Sequence, residues 1–190
     1  MTSDDVSLRV VEILNEHQIP YMIVGSLSTN FHSIVRSTKD ADIVIQSSLG
    51  DAARLLVREY DALSLDPQYG FESVTGTRKL ILRAHLTEEF IVELFGMADD
   101  PHDQERFRRR ISVDWNGRSA WIASAEDAVV TKLRWASYVG REKDIGDARN
   151  IIAMKADALD WPYIEHWCDA HGSRTLLEKI RAELAGRRTL

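Results

Sequence analysis

The sequence predicts a mixed α/β (α+β) core followed by a helical segment, and three patterns carry this prediction. Short apolar runs rich in β-branched residues alternate with amphipathic stretches of helical length through residues 1–123. An Asn116-Gly117 pair between two strand-like runs is typical of an antiparallel hairpin, because a type I′ turn needs positive φ at both central positions. From Ser124 onward the patterns are helical. We therefore expect a mixed sheet with flanking helices over 1–123, and a helical segment over 124–190 packed on it.

The first quarter of the chain predicts two helices and two buried strands. A helix begins at Ser3, where two acids favour the helix start, and ends before Pro20. Its apolar residues share one face: Val6, Val10, Ile13 and Leu14. The apolar run 21–24 predicts a strand, and 27–35 predicts a helix, so that the two residues between them form a strand-to-helix turn. The β-branched run 43–45 predicts the second strand.

The remaining elements follow from the same kinds of pattern. The rest of the core predicts a helix over 48–60 and strands over 80–82, 90–95, 111–115 and 119–122. The helical segment predicts four helices: 124–140, 141 to about 156, one that begins at Trp161-Pro162, and one from about 175 to 185 before a basic tail. Ser124 and Asp127 resemble a capping box, and Gly140 suits the left-handed position after a helix.

Composition is that of a folded, intracellular chain. The 190 residues are 44% hydrophobic and 28% charged, which excludes fibrous and disordered classes. The net charge of −6 disfavours nucleic-acid binding over the whole surface but permits a local basic patch. A single cysteine, Cys168, excludes an intramolecular disulfide and a Cys-rich zinc site. Residues 1–5 lack the basic start of a secretory leader, and no apolar stretch approaches the roughly 20 residues that span a bilayer. We therefore expect a cytoplasmic protein with no membrane partner.

The stretch most informative about chemistry is Val24-Gly25-Ser26 followed by Asp40 and Asp42. Side chains alternate across a strand, so the two aspartates point the same way and can hold a hard cation such as Mg²⁺. Gly25 lets a phosphate approach the backbone, and Ser26 offers a hydroxyl at a helix amino terminus, where free N–H groups favour anions. We therefore expect a metal site and a phosphate site one helix apart in sequence.

A third carboxylate is expected from Glu93, which lies inside the apolar run 90–95. Burying an acid among apolar residues costs free energy unless a metal or hydrogen bonds compensate. The alternative interpretation is a lone acid on an edge strand that faces water.

These residues, in this order, resemble the motif of the DNA polymerase β-like nucleotidyltransferase superfamily. That motif is a Gly-Ser turn, a helix, Asp-x-Asp and a later strand acid, filled here by Gly25, Ser26, Asp40, Asp42 and Glu93. Members commonly have Asp at the last position, and Glu93 is one methylene longer. The resemblance spans about Tyr21 to Ile152.

Further motifs resemble those of small prokaryotic nucleotidyltransferases similar to the abortive-infection-type toxin enzymes. Arg36 and Thr38 complete the form Arg-x-Thr-x-Asp-x-Asp. The second half matches that group's helical motifs with Lys132-Leu133 and then Arg141, Lys143, Asp144 and Asp147.

The resemblance implies a metal-dependent enzyme that transfers a nucleoside monophosphate from an NTP, such as ATP, to an acceptor hydroxyl. It implies Asp40, Asp42 and Glu93 as ligands of two Mg²⁺ or Mn²⁺ ions, with Asp42 shared, and as catalytic residues together with Lys132. The implied nucleotide-binding set is Gly25, Ser26, Arg36, Thr38, Lys39, Lys132, Asp144 and Asp147. A toxin-like role further implies an RNA acceptor such as tRNA, and an antitoxin or other partner protein.

Simpler interpretations stay open beside these roles. For Lys132 the alternative is a surface lysine whose stem covers apolar neighbours, and for Asp144 and Asp147 it is a local salt-bridge face. For Lys39 the alternative is a lysine that only balances the negative charge of the neighbouring aspartates. One basic cluster is a candidate RNA contact or a solvated face: Arg106, Arg108, Arg109 and Arg110. For the whole protein, the alternative is a catalytically silent nucleotide-binding or regulatory module with the same fold.

Overall fold

The computed structural model describes residues 1–86 and 89–187. It confirms the predicted fold class, with one eight-stranded mixed sheet, helices around it and a helical C-terminal segment. The chain divides into two compact units: Met1–Leu27 with Ser37–Ala123, and Ser28–Arg36 with the chain from Ser124 on. The predicted packing of the helical segment on the core stays a prediction. Residues 188–190 of the predicted basic tail lie outside the described residues.

The first unit contains the sheet. Its strands are β1 (Tyr21–Val24), β2 (Asp40–Ile45), β3 (Leu63–Leu65), β4 (Gly70–Phe71), β5 (Arg78–Ala84), β6 (Phe90–Gly96), β7 (Ile111–Trp115) and β8 (Arg118–Ile122). The strand order is β3-β5-β6-β2-β1-β8-β7, and β4 pairs with β5. β2 is parallel to β6 and antiparallel to β1, while β1 is parallel to β8. β2 therefore lies inside the sheet with a partner strand on either side.

The helices that precede the helical segment are α1 (Ser3–Glu16), α2 (Gly25–Asn30), α3 (Leu49–Glu59) and α4 (Pro101–Arg108), and the division between the units falls within α2. α1 begins with a capping box, in which Thr2 and Asp5 each accept the other's backbone N–H. The predicted apolar face of α1 is confirmed, since all four of its residues are fully buried. Each such side chain contributes about 1.5–3 kcal/mol through burial, which fixes α1 on the core.

The second unit is helical from Ser124 on. Its helices are α5 (Ala125–Val139), α6 (Glu142–Lys155), α7 (Trp161–Ala170) and α8 (Arg174–Arg187), with a 3₁₀ turn at Ala156–Ala158. α5 starts at Ser124, whose hydroxyl accepts the Asp127 N–H, and ends at Gly140, whose φ of +72° is left-handed as predicted. Its core joins all four helices: Val129, Val130, Leu133, Ile151, Ile164, Cys168, Leu177 and Ile180. None of the helices in the described ranges has the length and apolar composition that crossing a membrane requires.

The predicted hairpin is confirmed. The helix predicted over 27–35 is present, but its bounds are wrong, and Gly25 and Ser26, predicted as the turn before it, lie in its first turn. Asn116 and Gly117 have φ of +53° and +79°, and β7 and β8 pair antiparallel on either side of them. The observed helix α2 covers only Gly25–Asn30. The Asn30 side chain explains the early end, because its amide donates to the Arg36 carbonyl at 2.8 Å and accepts the Arg36 N–H at 3.2 Å. Such side-chain bonds compete with continued helix.

Three short elements were not predicted. Strands β3 and β4 have three and two residues, too few to show a periodic pattern. Helix α4 has a start signal in the sequence, since the Asp100 side chain accepts two backbone N–H groups and Pro101 follows at the first helical position.

Candidate functional site

The three predicted acids occupy neighbouring backbone positions on one face of the sheet. Asp40 and Asp42 alternate with buried Ala41 along β2, so their side chains share a face as predicted. In the parallel β2–β6 ladder Asp42 is the register partner of Glu93. Glu93 lies on an inner strand, because β6 has β5 on one side and β2 on the other. The interpretation of Glu93 as an edge-strand acid is therefore wrong.

Gly25 is required by the close approach of Asp42. Gly25 follows β1 directly, where Val24 is the register partner of Asp42. A Cβ at position 25 would overlap Oδ2 of Asp42 and lie 2.8 Å from its Cγ. The backbone of Gly25 also has a φ of +62°, which L side chains rarely adopt. The glycine turn and the second acid of the Asp-x-Asp motif therefore form one packed unit, with Ser26 buried in the first turn of α2 beside it.

Asp40 and Glu93 each contact a polar side chain of a nearby residue. The Thr38 hydroxyl donates to Asp40 Oδ1 at 2.5 Å. The Lys79 ammonium donates to Glu93 Oε1 at 2.6 Å, with 25% and 15% of the two side chains exposed. Lys79 was not among the predicted site residues. No short-range signal in the sequence could have found it, because its contact depends on how β5 and β6 pair.

A different set of metal-ligand side chains lies close together in the same unit. The ligand atoms of Asp100, His102 and Asp103 are within 4.8 Å of one another. However, Asp100 caps α4 by accepting the N–H groups of the other two residues, and Asp103 forms an ion pair with Arg106 at 2.5 Å. These carboxylates already stabilise the start of α4, so we do not assign a metal to them.

The second unit brings together four of the predicted residues in an ion-pair cluster. Lys132 on α5 lies 2.9 Å from Asp144 Oδ1 and 2.8 Å from Asp147 Oδ2, both on α6. Arg36 donates to both oxygens of Asp147, from Nε at 3.2 Å and from the terminal nitrogen at 2.9 Å. Arg141 Nε lies 2.8 Å from Asp144 Oδ2. We call these five residues the ion-pair cluster.

The ion-pair cluster changes the interpretation of Lys132. Its side chain is only 11% exposed and its ammonium contacts two buried carboxylates, so it is not a surface lysine. Asp144 and Asp147 hold Lys132 between two helices, rather than forming a salt-bridge face within α6 alone. The cluster contains three cations and two carboxylates, which leaves one net positive charge. Its exposed part is cationic, since Arg36 and Arg141 are 31% and 52% exposed.

Asp147 gives the cluster a predictable response to acid. Burial opposes its ionisation, but hydrogen bonds from Arg36 and Lys132 outweigh burial and hold the pKa of Asp147 below its ordinary value of 3.8. A lowered pKa means that the stabilisation is complete above about pH 3.8 and is lost as the pH falls through the lowered value. We expect Asp147→Asn to reduce the free energy of unfolding at pH 7 and to flatten its decline below pH 4.

Urea unfolding between pH 3 and pH 7 measures this effect. Asp157→Asn is the control, because Asp157 is an exposed carboxylate of the same unit. It should shift stability by no more than about 0.5 kcal/mol. Equal acid sensitivity in Asp147→Asn and the wild type would show that Asp147 does not contribute in this way.

The predicted basic cluster is largely engaged within the first unit. Arg106 is 12% exposed and pairs with Asp103, and Arg108 pairs with Glu105 at 2.6 Å. The Arg110 guanidinium lies 4.3 Å from the centre of the Phe107 ring and 5.0 Å from that of Trp121. Arg106 and Arg110 are therefore held by neighbours within the unit, whereas Arg108 is 73% exposed. Lys39 is also exposed.

Comparisons with known proteins give matches of structure. Neither a protein-family model nor a curated protein matches the sequence. The antibiotic-resistance factor ANT(2'')-Ia, solved with adenylyl-2''-tobramycin, matches with a TM-score of 0.62 at 14% identity, over 90% of this chain and 98% of that one. An antigenic nucleotidyltransferase-like protein from Paracoccidioides brasiliensis matches with a TM-score of 0.57 at 18% identity, over 92% of this chain and 90% of that one. The lincosamide antibiotic adenylyltransferase LnuA, bound to lincomycin, matches with a TM-score of 0.54 at 11% identity, over 79% of this chain and 96% of that one. At these identities the similarity shows a shared fold.

Proposed function

Because the chain has the fold of the DNA polymerase β-like nucleotidyltransferases, we propose that it transfers a nucleoside monophosphate from an NTP to an acceptor hydroxyl and releases pyrophosphate. The observation that carries this proposal is the packing of Asp42 against Gly25. It joins the glycine turn to the Asp-x-Asp strand, and it leaves no room for any side chain at position 25. Glu93 is next to Asp42 on the adjacent strand, so the three acids of the motif share one face.

The donor set suits a divalent cation. Carboxylate oxygens are the ligands that Mg²⁺ prefers, and the register of β2 and β6 brings three carboxyl-bearing residues to neighbouring positions. Asp40, Asp42 and Glu93 would hold Mg²⁺ or Mn²⁺, with Asp42 as the shared ligand. When bound, the metal supplies positive charge that lowers the pKa of the acceptor hydroxyl and offsets the charge of the triphosphate. Thr38 orients Asp40 through its hydroxyl contact.

The nucleotide would be bound by groups that the sequence motifs name. Gly25 and Ser26 present backbone and hydroxyl groups, and Lys39 adds an exposed cation. The second unit, taken by itself, carries positive charge at Lys132 and Arg36, and Asp144 and Asp147 fix the Lys132 ammonium. Its part in nucleotide binding is what the motif resemblance implies. The net positive charge of the ion-pair cluster favours a polyanion such as a triphosphate.

Two chemical classes of acceptor are considered for this reaction, an RNA and a small molecule. The motifs of the toxin-type group favour an RNA acceptor such as tRNA and a partner antitoxin. The internal pairing of the arginines around α4 argues against that cluster as the RNA contact. ANT(2'')-Ia was solved with adenylylated tobramycin, so a polyhydroxylated small molecule is the second chemistry to assay.

One observation favours a second candidate function, a catalytically silent nucleotide-binding module. The Lys79 ammonium already lies on Glu93, where the enzyme would need a metal ligand. Such a module would bind NTP and metal without releasing pyrophosphate.

Pyrophosphate release separates the two functions. We expect the wild type with Mg²⁺ and an NTP to release pyrophosphate when given an RNA or polyol acceptor, and Asp42→Asn to abolish release. Mg²⁺ with NTP should also raise the melting temperature, because a ligand at 100 times its Kd stabilises the folded state by about 2.7 kcal/mol. A thermal shift without release from any acceptor would favour the binding module. Neither shift nor release would overturn both functions.

A further inference from the structure

Lys79 lies beside Glu93 because of the strand register. In the antiparallel β5–β6 ladder Lys79 is opposite Phe95 and Glu93 is opposite Ile81. Lys79 and Glu93 are therefore diagonal neighbours on one face, a spacing that long side chains bridge. Their charged atoms are 2.6 Å apart.

The aliphatic stem of Lys79 is held in place by neighbours, as its ammonium is. Gly70 on β4 is the register partner of Lys79. A Cβ on Gly70 would lie 2.8 Å from Cε and 2.9 Å from Cγ of Lys79, so the stem lies directly on the glycine. The ammonium is 5.9 Å from the centre of the Phe95 ring. Two neighbours, Gly70 and Phe95, thus hold Lys79 against Glu93, which distinguishes it from a lysine free to move in solvent.

Glu93 depends on this counter-charge. Its side chain is only 15% exposed, so an ionised carboxylate here has little water to solvate it. An ammonium at hydrogen-bond distance compensates for the lost solvation more strongly than one at a water-exposed surface. The chain itself therefore supplies the positive charge that Glu93 needs.

We propose that the Lys79 ammonium competes with the divalent cation for the Glu93 carboxylate, so that Lys79 sets the metal concentration at which Glu93 becomes a metal ligand. This inference rests on the proposed function, in which Glu93 is one of three metal-binding acids. An ammonium and a doubly charged cation on one carboxylate repel each other. Metal binding at Glu93 therefore requires Lys79 to move away, and the ion pair with Glu93 opposes that movement.

Binding of Mn²⁺ to the nucleotide-free full chain tests the competition. Electron paramagnetic resonance of free Mn²⁺ gives the dissociation constant without any need for turnover. We expect Lys79→Met to bind Mn²⁺ on the order of tenfold more tightly than the wild type, because the competing charge is gone. The matched control is Arg78→Met, which removes the same charge one residue away, where the side chain is exposed and on the other face of β5. The Mn²⁺ dissociation constant of Arg78→Met should stay within twofold of the wild-type value, and Lys79→Arg should keep the wild-type affinity.

A double variant guards against misfolding. Lys79→Met leaves Glu93 without its counter-ion, whereas Lys79→Met with Glu93→Gln removes both charges and should fold. The double variant should lose the gain in Mn²⁺ affinity. If it keeps the gain, or if Lys79→Met matches Arg78→Met, the competition is wrong.

The outcomes also separate this inference from the proposed function. Tighter Mn²⁺ binding in Lys79→Met, together with a wild type that never releases pyrophosphate, would support the competition and contradict the enzyme. An active wild type whose Mn²⁺ affinity is insensitive to Lys79 would contradict the competition and leave the enzyme standing.

Discussion

Glu93→Gln should lower pyrophosphate release by on the order of a hundredfold or more and leave NTP affinity within a few-fold. The substitution keeps the size of the side chain and removes its negative charge. In the proposed reaction the acids would act mainly on the transition state, where charge develops on the attacking and leaving oxygens. Loss of one strong electrostatic stabiliser has this scale of effect. Steady-state kinetics with a labelled NTP gives turnover, and equilibrium binding gives affinity.

Glu89→Gln is the matched control, since Glu89 precedes β6 and its side chain is 82% exposed. It should leave both quantities unchanged. Equal turnover in Glu93→Gln and the wild type would remove Glu93 from the catalytic set. If the wild type binds NTP but is silent, Glu93→Asp is the decisive variant. It restores the acid that resembling enzymes commonly have, and continued silence would indicate a chain adapted for binding.

Lys132→Met should destabilise the helical unit by about 3–5 kcal/mol, the scale for removing one member of a buried ion pair. The variant leaves the Asp144 and Asp147 carboxylates, 3% and 7% exposed, without the ammonium between them. Each retains one arginine partner, so the unit can still fold. Urea unfolding followed by tryptophan fluorescence measures the loss.

Lys179→Met is the control, because Lys179 is an exposed lysine on α8 and its loss should change stability by no more than about 0.5 kcal/mol. Adding Asp144→Asn to Lys132→Met should recover part of the loss, since it removes a buried charge that has lost one of its two cationic partners. Full stability of Lys132→Met would contradict the ion-pair cluster. Any effect of Lys132 on NTP binding must be judged against this loss of stability, and Lys132→Arg, which keeps the charge, is the better variant for that purpose.

Turns and helix caps were predictable from the sequence, because each depends on the residue types at one or two neighbouring positions. The hairpin at Asn116-Gly117 and the cap at Gly140 follow from the φ angles that those residues permit. The helix over 27–35 was predicted from length and apolar pattern, and its predicted end was wrong because the Asn30 side chain bonds to the backbone of Arg36. Polar side chains that bond their own backbone are visible in a sequence, but whether they defeat a helix depends on the surrounding packing.

Contacts between distant segments were predictable only where a motif named them. The acids of the site are motif residues, so their positions could be proposed before their geometry was known. Lys79 belongs to no motif, and its neighbour is set by the register of β5 against β6. The arginines at 106–110 were grouped by proximity in sequence. Their partners became apparent only once α4 placed Asp103 and Glu105 one turn before Arg106 and Arg108.

The parallel pairing of β2 with β6 has a consequence for how the molecule is assembled. Asp42 and Glu93 become neighbours only after the long stretch of chain between them has closed into a loop, and closing it loses chain entropy before any contact is gained. Lys132 and Asp144, in contrast, meet as soon as α5 and α6 form a helical hairpin. The acid face is thus a product of the completed sheet, whereas the contact of Lys132 with Asp144 needs only one helical hairpin.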